Sequence, residues 1–244
     1  MILTIVRIAA VIAVTIPYSV AALLVIPIDE SGRMYHGLGR SWARLVLRLC
    51  GVRVRLKGRE HLDPKCHYIY VANHASMFDI PAVMATIPDQ IRIVLKKELT
   101  RVPIWGWALK HGPYISIDRS DAKGAMESLD RAARTIRHGA SVLLFAEGTR
   151  TRDGNLQPFK RGAFALAAKS GVPIIPLTIN NSFNILPKGS LRIRPTDIEL
   201  VLGRPIPTDS RAGRDGEKKL MDEVHAIVSG NFKSPHAANE PHNG

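Results

Sequence analysis

The chain has 244 residues, 45% hydrophobic and 23% charged, enough apolar material for one packed domain with an appendage. Lysine and arginine number 34 against 21 acidic residues, a net charge of +13, and such an excess calls for an anionic partner or a membrane surface. Nucleic acid fits poorly, because no zinc-finger spacing occurs and aromatic residues are only 6%, too few for a base-stacking platform.

In chain order, the first feature is an uncharged apolar run from Ile8 to Ile28. As one helix it would cover roughly 30 Å, the thickness of a hydrocarbon core. Three arrangements are compatible with it: a spanning helix, two short interfacial helices broken at Pro17, or a cleaved signal with Ser19 and Ala21 as its small residues. Arg33, Arg40, Arg44 and Arg48 follow closely, which favours a membrane anchor with the rest of the chain on the cytoplasmic side. Residues 34–50 carry Leu38, Trp42, Leu45, Val46 and Leu49 at helical spacing, with Arg40, Arg44 and Arg48 on a neighbouring face. This is either an ordinary surface helix or a basic amphipathic helix lying on anionic lipid.

Gly51 stops that helix. Strands are expected at 52–58, where apolar and basic residues alternate as in an exposed strand, and at 67–73, 91–96, 114–118, 141–148, 172–179 and 197–203. Helices are expected at 122–138, 162–170 and 216–229. Strands alternating with helices predict an α/β fold with a mostly parallel or mixed central sheet flanked by helices, plus the N-terminal membrane-associated helical segment. Ligands in such sheets sit beyond the carboxyl ends of the strands. The expected division is 1–50 for the anchor and basic helix, 51–228 for the folded domain, and 229–244 for a disordered tail rich in Ser, Pro, His and Asn. Cys50 and Cys66 form neither a disulfide framework nor a metal-binding spacing.

Four stretches could carry chemistry. In "VANHASMFDIPAV" (71–83), Pro81 suits the first turn of a helix, so the helix begins near Phe78 or Asp79. His74 then lies in the strand-to-helix loop, where Asp79 can accept one ring N–H and leave the other nitrogen as a base. The plain alternative has His74 capping a strand and Asp79 capping a helix. No G-x-S-x-G elbow or H-E-x-x-H helix is present, so a base at His74 acts on a substrate hydroxyl; Ser76 is nearby but nothing marks it as a nucleophile. In "FAEGTR" (145–150), Gly148 permits a tight turn and Arg150 offers a planar fork that matches phosphate; the alternative is an ordinary turn with a surface arginine. In residues 96–119, Lys96, Lys97 and Arg119 stand at strand ends, as a phosphate site or as plain basic surface. In "PFKRGAFALA", Lys160 and Arg161 precede a helix, unfavourable for its dipole unless an anion lies near; the "VPIIPL" strand that follows walls either an apolar channel or plain core.

Taken together, these blocks resemble the glycerolipid acyltransferase family, in particular its lysophosphatidate-acylating members. The N-H-x-x-x-x-D block matches Asn73, His74 and Asp79. The K-x-E-L…P…G…G…R block matches Lys96, Glu98, Leu99, Pro103, Gly106, Gly112 and Arg119. The F-x-E-G-T-R block matches Phe145, Glu147, Gly148, Thr149 and Arg150, and V-P-I-x-P matches Val172, Pro173, Ile174 and Pro176. The blocks occur in the family's order across 73–177; Thr151 replaces a serine often found there. The resemblance implies acyl transfer from acyl-CoA or acyl-carrier protein to the free hydroxyl of 1-acylglycerol-3-phosphate, forming phosphatidate. His74 and Asp79 would be catalytic. Arg119, Glu147, Gly148, Thr149 and Arg150, with Lys96, would bind the acceptor. No metal, cofactor or acyl-enzyme is implied; the partners are lysophospholipid, acyl thioester, acyl-carrier protein and membrane lipid. Glycerol-3-phosphate or a lyso-aminolipid as acceptor, and a noncatalytic lipid-binding protein, are the competing readings.

Overall fold

In a computed structural model the chain is described over residues 1–117, 133, 136, 139–209 and 213–236. Apart from Ala133 and Ile136, the expected helix at 122–138 lies outside these residues, as does Arg119.

The N-terminal apolar run folds as one helix, α1 (Ile2–Val25), which continues through Pro17; the two-helix arrangement is therefore not the one adopted. α2 (Arg33–Cys50) starts where the Asp29 carboxylate accepts the N–H groups of Arg33 at 3.1 Å and Tyr35 at 2.7 Å, two of the donors a helix start leaves without partners. It ends at Gly51, whose φ of 70° takes the left-handed conformation that glycine tolerates. The basic face of α2 does not simply face outward. Arg40 donates to Ile87 O at 2.7 Å and Pro88 O at 3.4 Å, and Arg44 to Ala85 O at 3.4 Å. These carbonyls end α3 (Asp79–Thr86), so the arginines neutralise its negative pole.

The described strands are β1 (Val54–Lys57), β2 (Ile69–Ala72), β3 (Ile91–Lys96), β4 (Ile115–Ile117), β5 (Ser141–Phe145), β6 (Ile174–Asn180) and β7 (Ile198–Leu202). They form one sheet in the order β1-β7-β6-β2-β5-β3-β4. From β6 to β4 neighbours run parallel; β7 is antiparallel to β6, and β1 is parallel to β7. The mixed sheet matches the expected class. β2 and β6 are buried at every position, which is why their sequences are continuous apolar runs, whereas β1 alternates toward solvent.

Helices cover both faces. α2 and α3 bury Val46, Leu47, Ala82 and Val83 against Tyr70, Leu143 and Ile175 of the sheet. On the other face, α5 (Gly162–Ser170) and α7 (Arg214–Asn231) bury Phe164, Leu166, Leu220 and Val224 against Ile69, Val142 and Ile174. α4 (Trp105–His111) follows β3 and packs against α1, and α6 (Ser182–Ile185) follows β6. The tail departs from expectation over 229–236. α7 extends to Asn231, and beyond it Lys233 N–H donates to Asn180 Oδ1 at 2.9 Å while its ammonium pairs with Glu199 at 2.7 Å. The end of β6 and the start of β7 thus supply partners that composition does not reveal.

Candidate active site

The sheet order brings the carboxyl ends of β6, β2, β5 and β3 side by side. His74 follows β2, Glu147–Arg150 follow β5, Lys96 ends β3, and Lys188 lies beyond β6 and α6. Residues more than a hundred apart in sequence therefore share one rim.

His74 and Asp79 meet as their spacing predicts. His74 Nδ1 stands 2.6 Å from Asp79 Oδ2, and Asp79 is fully buried. The same Oδ2 accepts the backbone N–H groups of Ala75 at 2.8 Å and Ser76 at 2.9 Å. An oxygen receiving backbone donors acts as acceptor toward the ring as well, so Nδ1 carries the proton and Nε2 is left as the basic nitrogen. The imidazole stacks on Phe145, with centroids 3.9 Å apart and planes at 16°, which limits its rotation. Ser76 is fully buried and its hydroxyl donates to Leu186 O at 3.2 Å, so it is a structural serine.

The β5 loop holds the histidine's backbone at both ends. His74 N–H donates to Glu147 Oε1 at 3.0 Å, and His74 C=O accepts Thr151 N–H at 2.9 Å. The register explains the first bond: Ala72 pairs with Phe145, so His74 and Glu147 stand level two residues on. Glu147 is 3% exposed and absent from the cavity wall. In this structure its carboxyl turns inward and braces the histidine. Burial pushes its pKa up to about 8, with the neighbouring Asp79 charge adding to the rise and the His74 N–H opposing it. Gly148 has φ of 76°, and a Cβ there would come within 2.9 Å of the Lys160 stem, so that turn requires glycine. Asn73 acts as a clamp: its side chain donates to Ile179 O at 2.9 Å and accepts Ile179 N–H at 2.8 Å, tying the end of β2 to β6.

A cavity of ≈ 370 Å³ opens at His74. Beside His74 its polar lining includes Lys96, Thr149, Arg150 and Lys188, with Gly148 among them, and Thr15, Tyr18, Ser19, Tyr35 and Tyr114 add hydroxyl groups elsewhere in the wall. Apolar walls come from Ala22 of α1, Leu38 and Trp42 of α2, Ile80 and Met84 of α3, and Ala108 and Leu109 of α4. The structure thus gathers Lys96, Gly148, Thr149 and Arg150 beside His74 as the sequence predicts; Arg119 lies outside the described residues. Lys188 was not singled out by the sequence. Its Nζ donates to Thr149 Oγ1 at 3.0 Å and Arg150 O at 3.2 Å, and only the pairing of β6 with β2 shows that its loop returns to this rim. Among the described residues no carboxylate forms an ion pair with Lys96, Arg150 or Lys188.

This geometry joins a poised base, a cluster of cations and an apolar cavity. Residues 53–180 match the family model described as Acyltransferase. A coconut (Cocos nucifera) protein named 1-acyl-sn-glycerol-3-phosphate acyltransferase is 32% identical over 93% of this chain and 74% of its own length. A Brassica napus chloroplastic protein of the same named activity is 33% identical over 71% of this chain. The chain spans about half of that second relative, 51% of its length. The crystal structure of the 1-acyl-sn-glycerophosphate acyltransferase PlsC from Thermotoga maritima superposes with a TM-score of 0.79, covering 94% of this chain and 93% of that one at 21% identity, a likeness of fold. Motif order, matched residues and fold agree, and this chain belongs to the acyltransferase family.

Proposed function

We propose that this protein transfers an acyl chain from a thioester, acyl-CoA or acyl-carrier protein, to the free hydroxyl of 1-acylglycerol-3-phosphate, giving phosphatidate. The observation that carries the reading is one cavity lined by His74, whose ring is held from behind by the buried Asp79, by cations that have no carboxylate partner among the described residues, and by apolar walls. His74 Nε2 takes the hydroxyl proton as the oxygen attacks the thioester carbonyl. Asp79 holds the tautomer and stabilises the imidazolium that forms. The tetrahedral intermediate collapses, expelling the thiolate, which takes the proton from His74. Atoms and charges balance without a cofactor. Arg150 and Lys96 meet the acceptor phosphate, Arg150 through its fork, and the apolar cavity takes an acyl chain. The names of the coconut and Brassica relatives support this acceptor. The exposed apolar face of α1 supports work at a membrane surface, and the arginines that follow it support a cytoplasmic domain.

The test is thiol release by purified protein in lipid micelles, crossing acyl-CoA and acyl-carrier protein with a panel of lysolipids. Turnover with lysophosphatidate, abolished in His74→Ala, is the expected result. Release with glycerol-3-phosphate or a lyso-aminolipid alone would reassign the acceptor. Lipid binding without any thiol release would make the chain a carrier.

A further inference from the structure

Lys188 lies outside all four sequence blocks, yet it stands inside the cavity with Arg150 and His74. Its position is built rather than incidental. The segment before it is pinned by the Ser76 hydroxyl on Leu186 O at 3.2 Å, and by Arg194 N–H on Ile185 O at 2.9 Å. Its ammonium, half-buried, makes two hydrogen bonds, to Thr149 Oγ1 and Arg150 O. Both acceptors are neutral. An ammonium has three donors, so one donor and the whole positive charge remain without an anionic partner among the described residues. A lysine recruited only to brace a loop would not require the wall of the cavity; a lysine that meets an anion would. The bonds to Thr149 and Arg150 fix its charge beside Arg150, which also lines that cavity. Thr149 links the two, accepting from Lys188 while donating to Arg150 O at 3.1 Å.

We infer that Lys188 is a specificity-determining residue, a cation supplied from the β6 side that contacts the phosphate of the acceptor together with Arg150. The inference rests on the proposed acceptor and names which residue selects it. β5 and β3 contribute Arg150 and Lys96 to one part of the rim, and Lys188 reaches the site across β2, from the far side of His74 in strand order. Cations arriving from both sides of the base hold a phosphate dianion in register with it, so the hydroxyl next to the phosphorylated carbon is presented to Nε2. An acceptor lacking phosphate loses that alignment.

The experiment compares lysophosphatidate with monoacylglycerol in mixed micelles of fixed composition, using the full chain, for wild type, K188M, K188R and T149V. K188M should raise the KM for lysophosphatidate roughly ten- to hundredfold, the weight of a lost charge-assisted contact. Its residual rate with monoacylglycerol should change far less. K188R, which keeps the charge, should recover most of the loss. T149V removes a partner of Lys188 but not its charge, and should fall well short of K188M. Equal proportional losses on both acceptors, or a T149V defect as large as that of K188M, would reduce Lys188 to a strut and overturn the assignment. A wild type that does not distinguish the two acceptors would overturn the acceptor itself; a wild type that does, with K188M unchanged, overturns Lys188 alone. Lysine acetylation read by peptide mass spectrometry provides a second measurement on the unaltered protein, independent of how any variant folds. Lysophosphatidate should slow labelling of Lys188 severalfold and monoacylglycerol should not; equal labelling with both would overturn the contact.

Discussion

Three donors converge on one oxygen, Asp79 Oδ2, from the His74 ring and from the N–H groups of Ala75 and Ser76. The carboxylate therefore shapes the loop and fixes the imidazole together. Asp79→Asn can keep its carbonyl oxygen toward the two backbone donors, so the loop should survive while the imidazolium loses its counter-charge. The turnover number should fall roughly 10³- to 10⁴-fold, as expected when a base loses its orienting carboxylate, with circular dichroism unchanged. A variant within tenfold of wild type would detach Asp79 from the chemistry. Glu147 carries a different prediction. Its folded pKa, about 8, lies above its ordinary 4.5, so the native state holds a proton that the unfolded chain releases. The stability contributed by that protonation is complete below pH 4.5, declines as pH rises, and is lost once pH passes about 8. Glu147→Gln, neutral at every pH, should therefore gain in melting temperature relative to wild type between pH 5 and pH 8.5; a constant difference across that range would deny the buried proton. The His74–Asp79 pair is legible in sequence because it is local, five residues apart within one loop. Glu147 is legible as a member of the site, but its bond to the His74 backbone is not, because that depends on the register between β2 and β5. Lys188 is not legible at all, since nothing within its own loop distinguishes it from a surface lysine.

At the scale of elements, α2 shows how one pattern serves two purposes. Its apolar and basic faces satisfy the description of a lipid-surface helix, but Arg40 is engaged with the last carbonyls of α3. Arg40→Ala should lower stability by about 1 kcal/mol, the net value of such a contact at a half-buried site. Binding to anionic vesicles should be nearly unchanged. A large loss of vesicle binding with an unaltered melting temperature would return Arg40 to the lipid face. The buried parallel strands are readable because they are continuous apolar runs, and the stops of α2 and α5 because Gly51 and Gly171 mark them. The strand order was not readable: the place of β7 beside β6, antiparallel to it, depends on long-range pairing that no local window contains. The placement of Lys233 just beyond α7 is not readable for a related reason, since a residue polar enough for a tail finds partners on Asn180 and Glu199 only after folding.

Across the whole molecule, α1 is both an apolar element and part of the domain. Ile8 and Val11 pack on the main core, Thr15 accepts the Trp42 indole N–H at 3.0 Å, Tyr18 bonds Ser41 at 2.8 Å, and Ala22 is buried near Tyr35 and Ala108. The opposite face exposes Ile5, Ile12, Ile16, Val20 and Leu24. A helix that packs on the domain along one face and is apolar on the other fits association with a membrane. Deleting residues 1–28 should release much of the protein from membranes, with the basic surface retaining a salt-sensitive remainder. It should also cut turnover in detergent more than tenfold, because Thr15, Tyr18, Ser19 and Ala22 form part of the cavity wall. Full activity of a soluble truncation would make α1 a mere tether. That shared wall has an operational consequence. A cavity completed by an exposed apolar helix has no sharp boundary with its surroundings, and amphiphiles used to extract the protein should compete for it. Copurifying lipid or detergent should be visible by native mass spectrometry, and apparent Michaelis constants should follow the mole fraction of acceptor in the micelle rather than its molarity in the tube. On that outcome, concentration for this protein would be a property of a surface.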